Sequence, residues 1–160
     1  MYSYEIRKLT NDFYNVYNQN LFPELLNKSE RSYDIILFEL DLLKDCFVGI
    51  PFRTEMKHNN GYHFKFSKRS QHHASGLDFS KLVIIHKNNS NFIGDLSIID
   101  SDEYIEFEKN EDKIHKNIEK YILDYTQHIK QEVLLHPKQF DRKYKYATLK
   151  YFHIELGLLQ

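Results

Sequence analysis

The spacing of apolar residues changes once along the chain, and that change constrains the fold more than any single motif. From Asn110, an N-cap followed by Glu111 and Asp112 in the first turn, Ile114, Ile118, Tyr121, Ile122, Tyr125 and Ile129 recur at three- and four-residue spacing. That period predicts an amphipathic helix. A second helix is predicted from Pro137, with Phe140 and Tyr144 four apart. A third is predicted from Thr148, with Leu149, Phe152 and Leu156 on one face before Gly157. Upstream, the apolar residues come in short extended runs: Tyr2–Arg7, Tyr33–Leu40, Phe47–Phe52, Tyr62–Phe66, Lys81–His86, Phe92–Ile99 and Tyr104–Phe107. An early helix capped by Thr10 or Asn11, with Phe13, Tyr14 and Tyr17 on one side, interrupts them. Tyr33–Leu40 and Phe47–Phe52 are expected to form a central antiparallel hairpin, with the aliphatic Lys81–His86 also central. Such dense short strands followed by helices predict an α+β fold: a strongly curved antiparallel sheet or partial β-barrel with helices packed around it, mostly C-terminal.

At 160 residues the chain is expected to form a single domain spanning 1–160. Its 12 Tyr and 12 Phe argue against a disordered chain. Cys46 has no partner for a disulfide, which fits a reducing cytoplasm. No apolar stretch approaches the roughly 18 residues of a bilayer span, and the first residues lack the basic-then-apolar order of a signal peptide. Cytoplasmic localisation with no membrane partner is the expectation.

A net charge of −1 conceals segregation. Between Pro51 and Lys81 six basic residues (Arg53, Lys57, Lys65, Lys68, Arg69, Lys81) face two acids (Glu55, Asp78), while Asp95–Asp112 holds eight acids and one Lys. This pattern suits an electropositive groove for a polyanion, with Tyr62, Phe64 and Phe66 placed to stack unpaired bases. The other reading is a solvated loop beside ordinary strand aromatics. The clustered His58, His63, His72 and His73 match no metalloprotease or zinc-finger spacing, so no metal or other cofactor is expected. His136 and His153 read as packing or helix-end residues. Ser75-Gly76-Leu77-Asp78 is too short for a phosphate loop or nucleophile elbow and reads as a turn entering the Lys81 strand.

The segment Gly49-Ile50-Pro51-Phe52-Arg53-Thr54-Glu55-Met56-Lys57-His58 places a guanidinium, a hydroxyl, an ammonium and an imidazole just after a strand. That set suits metal-free RNA cleavage. The ribose 2′-hydroxyl attacks its own phosphate, so the protein must orient the strand, move two protons and stabilise charge on phosphorus. The same residues also describe a plain anion-binding turn, with Thr54 bonding nearby backbone and His58 packed or capping.

In order and spacing, the chain resembles the TenpIN-type toxins of bacterial type III toxin–antitoxin systems, more distant relatives of the ToxN and AbiQ toxins. The resemblance rests on Arg31-Ser32-Tyr33 entering an aliphatic strand, Ile50-Pro51-Phe52-Arg53-Thr54 with Lys57-His58, Ser75-Gly76-Leu77-Asp78-Phe79-Ser80-Lys81, and the ending Tyr151-Phe152-His153 with Glu155-Leu156-Gly157-Leu158. It implies a metal-independent endoribonuclease toxin on a barrel-like sheet, leaving 2′,3′-cyclic phosphate ends. The toxin would be inhibited by a cognate repeat-derived RNA, in a protein–RNA hetero-oligomer, and would act on cellular RNA. Thr54 falls where the ToxN branch has its key Ser, and Arg53 on the preceding Thr. Lys57 falls one place beyond a catalytic-site Lys, whose own place is taken by Met56, and Arg31 on another basic site position. The expected catalytic set is thus Thr54, Arg53, Lys57 and His58, and the RNA-binding set Arg31, Tyr33, Lys65, Lys68, Arg69 and Lys81. The alternative is a non-catalytic RNA-binding protein that blocks translation.

Overall fold

The Ile- and Leu-rich hairpin at the centre of the sequence organises the rest of the molecule. The computed structural model describes residues 4–26 and 33–158. Within them lie seven strands: β1 (Glu5–Leu9), β2 (Asp34–Phe38), β3 (Cys46–Arg53), β4 (Gly61–His63), β5 (Gly76–Asp78), β6 (Val83–His86) and β7 (Ile93–Leu96). The α-helices are α1 (Asn11–Val16), α2 (Ser101–Lys109), α3 (Glu111–Ile129) and α4 (Pro137–Tyr144). All pairings are antiparallel, in the order β4-β5-β3-β2-β1-β7, with β6 also on β3. The sheet is open, since β4 and β7, at the two ends of this order, do not pair among the described residues.

The β2–β3 hairpin is the expected one, in the register Ile35↔Pro51 to Phe38↔Val48. Ile35, Ile36, Leu37 and Phe38 are all buried, and because strand side chains alternate in direction, both faces must be covered. Phe38 meets Phe107 of α2 edge-on, with centroids 6.0 Å apart. Ile35 lines a small apolar recess with Phe13 of α1. Strand β3 is long enough to serve two partners along its other edge. Cys46–Gly49 pairs with β6, and Phe52–Arg53 with β5.

The helix period read from the sequence matches α3, which buries Ile114, Ile118, Tyr121, Ile122 and Tyr125 and leaves Ile129 exposed. Thr10 caps α1 by accepting from the Phe13 N–H at 3.3 Å. Pro137 opens α4 behind His136, whose Nδ1 accepts from Lys138 N.

Five expectations are corrected. Tyr104–Phe107 belongs to α2, because Glu103, Glu106 and Phe107 bury one side at helical spacing. The Tyr62–Phe66 strand stops at His63, since the Lys65 and Phe66 N–H groups turn away to the Glu106 carboxylate at 2.8–3.1 Å. Ser75–Asp78 is not a turn, as Gly76–Asp78 forms β5 between β3 and β4. Only glycine fits at its start, where a Cβ on Gly76 would lie 2.3 Å from Tyr62 O. The segment from Thr148 makes a single 3-10 turn, Thr148–Tyr151, although Leu149, Phe152 and Leu156 are buried together as expected. Lys81–His86 is likewise not a central strand: Lys81 lies in another short turn, and β6 pairs with β3 alone among the described strands. Arg31 and Ser32 lie outside the described residues. No helix of the described residues is long and apolar enough to cross a membrane.

Candidate functional site

The loop after β3 is held by a buried methionine. Met56 is 1% exposed, and its N–H donates to Ala74 O at 2.7 Å. Its thioether fills the space left by two glycines: a Cβ would lie 3.0 Å from Met56 Sδ at Gly61 and 2.7 Å from Met56 Cε at Gly76. This explains an apolar residue within a polar loop. Thr54, Glu55 and Lys57, on either side of it, are exposed.

His58 turns back towards the sheet. Its Nδ1 accepts from Asn60 N at 3.0 Å, which places the ring proton on Nε2, and Nε2 lies 3.1 Å from Asp78 Oδ2. Arg53 Nη1 donates to the same oxygen at 2.8 Å. The other oxygen, Oδ1, accepts from Ser80 N at 2.9 Å and Ser80 Oγ at 2.6 Å. Asp78, fully buried, is thus met by four donors that join the end of β3, the His58 loop and the turn after β5. Both ring nitrogens of His58 are engaged. The cluster is not a nucleophile triad, because the carboxylate rather than the imidazole holds the central place.

Arg53 also borders a cavity of ≈ 440 Å³. It lies among Lys8 of β1, Tyr33 and Asp34 at the start of β2, Phe52–Glu55, Arg69, and the stretch from Ile98 into α2. Four of the anticipated residues, Tyr33, Arg53, Thr54 and Arg69, converge here. Lys57, His58, Lys65, Lys68 and Lys81 do not line it. The ammonium groups of Lys57, Lys65 and Lys68 make no direct ion pair among the described residues. Lys81 Nζ donates to Tyr146 O at 2.8 Å, and burial pulls its pKa below the usual lysine value.

The charge segregation seen in the sequence is resolved by contact between the two segments. Arg69 pairs with Asp100 at 2.9 Å and with Glu103 at 3.8 Å. The Lys68 N–H donates to Asp102 at 2.7 Å, and Glu106 gathers the Tyr62 hydroxyl at 2.7 Å with the Lys65 and Phe66 amides. The acidic stretch therefore binds the basic loop, and the cavity carries carboxyls (Asp34, Glu55, Asp100, Glu103) beside its cations. Lys8 pairs with Asp34 at 2.9 Å, and His73 with Glu55. That hydrogen bond holds the Glu55 carboxyl below its ordinary pKa. Of the three aromatics expected to stack bases, Tyr62 and Phe64 are core residues, whereas Phe66 is 81% exposed.

Sequence reasoning missed Asp78, Glu103 and Glu106. Glu103 lines the cavity at 2% exposure, and its Oε2 has no hydrogen-bond partner among the described residues. The nearby Ser75 hydroxyl, also buried, falls short of hydrogen-bond geometry with it yet is close enough to help hold the carboxyl's pKa down. Burial pushes the Glu103 carboxyl above its ordinary pKa, and Arg69 offsets this in part. Among the described residues no group of three His, Cys, Asp or Glu side chains is arranged to hold a metal ion. No family model, curated protein or solved structure matches the chain.

Proposed function

We propose that the protein is a metal-independent endoribonuclease toxin of the type III toxin–antitoxin kind, acting in the cytoplasm and restrained by a cognate repeat RNA in a protein–RNA assembly. The observation that carries this reading is the convergence of Tyr33, Arg53, Thr54 and Arg69 on one cavity large enough for a nucleotide. Arg53 is held in place by buried Asp78, which pre-orients its guanidinium for a phosphate. Thr54 is exposed beside it, and in this reading its hydroxyl donates to a phosphoryl oxygen as charge builds in the transition state. In this reading the open antiparallel sheet curves towards the partial barrel of the toxin ribonucleases.

The test is cleavage of a mixed RNA by the purified protein in EDTA. The expected products are discrete fragments with 2′,3′-cyclic phosphate and 5′-hydroxyl ends. Thr54→Val keeps the β-branched shape while deleting the hydroxyl, and should lower the cleavage rate on the order of a hundredfold with an unchanged melting temperature. A Thr54→Val protein that cleaves at the wild-type rate removes Thr54 from the chemistry. The second reading, a non-catalytic RNA-binding protein that blocks translation, draws on exposed Phe66 flanked by exposed Lys65 and Lys68, a sequence-tolerant stacking platform. Intact RNA retained on a gel by the wild-type protein, with loss of retention in Phe66→Ala, selects it.

A further inference from the structure

Glu103 costs the fold something that its neighbours do not. A buried carboxyl is tolerated when its oxygens are hydrogen-bonded, as Asp78 and Glu106 show, and an unsatisfied one disfavours folding by the desolvation it has suffered. Glu103 has one oxygen 3.8 Å from Arg69 Nη1 and the other without a partner among the described residues, yet it borders the cavity that holds Thr54 and Arg53. The surrounding groups are mixed. Asp100, the N-cap of its helix, and Asp102 oppose its ionisation, while Arg69 and the Ser75 hydroxyl favour it, and Arg53 and Glu55 line the same cavity.

We propose that Glu103 is the proton acceptor of the cleavage step in this cavity, an inference that rests on the ribonuclease reading above. As the ribose O2′ bonds to phosphorus, its proton passes to the Glu103 carboxylate. The P–O5′ bond breaks with its electron pair on O5′, which takes a proton from water, and the hydroxide so formed is neutralised by the proton that Glu103 then releases. One P–O bond replaces another, and nothing is oxidised or reduced. Arg69 couples the two events: it is shared between Asp100 and Glu103, so proton uptake by Glu103 frees its charge for the phosphorane just as negative charge accumulates there.

The experiment compares the full chain with Glu103→Gln and Glu103→Asp, following initial cleavage rates of one RNA from about pH 4 to pH 9. In the wild type the rate should climb with pH along a limb displaced above the ordinary Glu range of about 4.3, then level. Glu103→Gln should lose on the order of a hundredfold or more in kcat with little change in KM, and lose the limb. Glu103→Asp should keep a limb at a reduced rate. Glu103→Gln cutting at the wild-type rate, keeping the same limb, or changing only the site cut would overturn the role. Should Glu103→Gln fail to melt cooperatively, the wild-type profile decides, and a rate with no ionisation above the ordinary Glu range rejects the proposal. A wild-type protein that binds RNA and cuts none at any pH instead refutes the ribonuclease reading, and Glu103's role falls with it.

Discussion

Asp78 and Glu103 are both buried carboxyls close to the end of β3, and they are treated in opposite ways. Asp78 is met by Arg53, His58 and both the amide and hydroxyl of Ser80, so its charge ties three segments together. Glu103 has a single cation at 3.8 Å and one oxygen without a partner among the described residues. Satisfied burial serves architecture, since the lone pairs are already used. Burial at a cavity wall without a protein partner leaves a lone pair open to chemistry. The distinction also separates Arg53, held by a structural carboxylate, from Arg69, shared between Asp100 at the N-cap of α2 and Glu103 within it.

The largest effect expected is on Asp78. Asp78→Ala leaves a guanidinium, an imidazole N–H and two Ser80 donors without their acceptor, and should cost about 3–5 kcal/mol in urea denaturation. A cost below about 1 kcal/mol would mean that the segments are held by the core alone, and the contrast with Glu103 would lose its structural half. His58→Ala removes one donor from that cluster and should cost about 0.5–1.5 kcal/mol, with cleavage changed no more than a few-fold. Loss of cleavage with unchanged RNA affinity would transfer His58 from the architectural side of the comparison to the chemical one.

The smallest effect on folding is expected at Glu103, and its sign depends on pH. Burial raises the folded-state pKa, so the folded protein holds this proton more tightly than the unfolded chain does. The stabilisation this provides is full below the unfolded value of about 4.3 and is lost as pH rises through the raised folded value. Gln does not ionise. The melting temperature of Glu103→Gln relative to wild type should therefore rise from pH 4 to pH 7, and a difference that shrinks over that interval would break the comparison.

What the sequence disclosed follows from periodicity. The β2–β3 hairpin and α3 are long, apolar and regular, and their side chains report burial directly. Strand β5 is three residues long and begins at a glycine that in isolation resembles a turn, so nothing local marks it as the strand that carries Asp78. Tyr104–Phe107 is a short aromatic-rich run that reads as a strand, and the burial of Glu103, Glu106 and Phe107 on one side, with the contacts of Glu103 and Glu106 to the distant basic loop, goes with a helix. Opposite charge runs about thirty residues apart could serve a polyanion or each other, and composition does not distinguish the two. Arg53, Thr54, Arg69 and Tyr33 were legible because they flank recognisable strands or sit in the basic run. Glu103 was hidden within that acidic stretch.

Met56 gives the loop it anchors a fixed length. With Arg53 fixed by pairing to β5, Met56 seated between Gly61 and Gly76, and His58 tied to Asp78, the fastenings fall at intervals of three and two residues. Thr54, Glu55 and Lys57 lie exposed between them, outside that seat. A single inserted or deleted residue would force either the methionine out of its socket or the histidine off its carboxylate. The segment is therefore fixed in length, an arrangement that keeps Thr54 in register with Arg53 at the cavity.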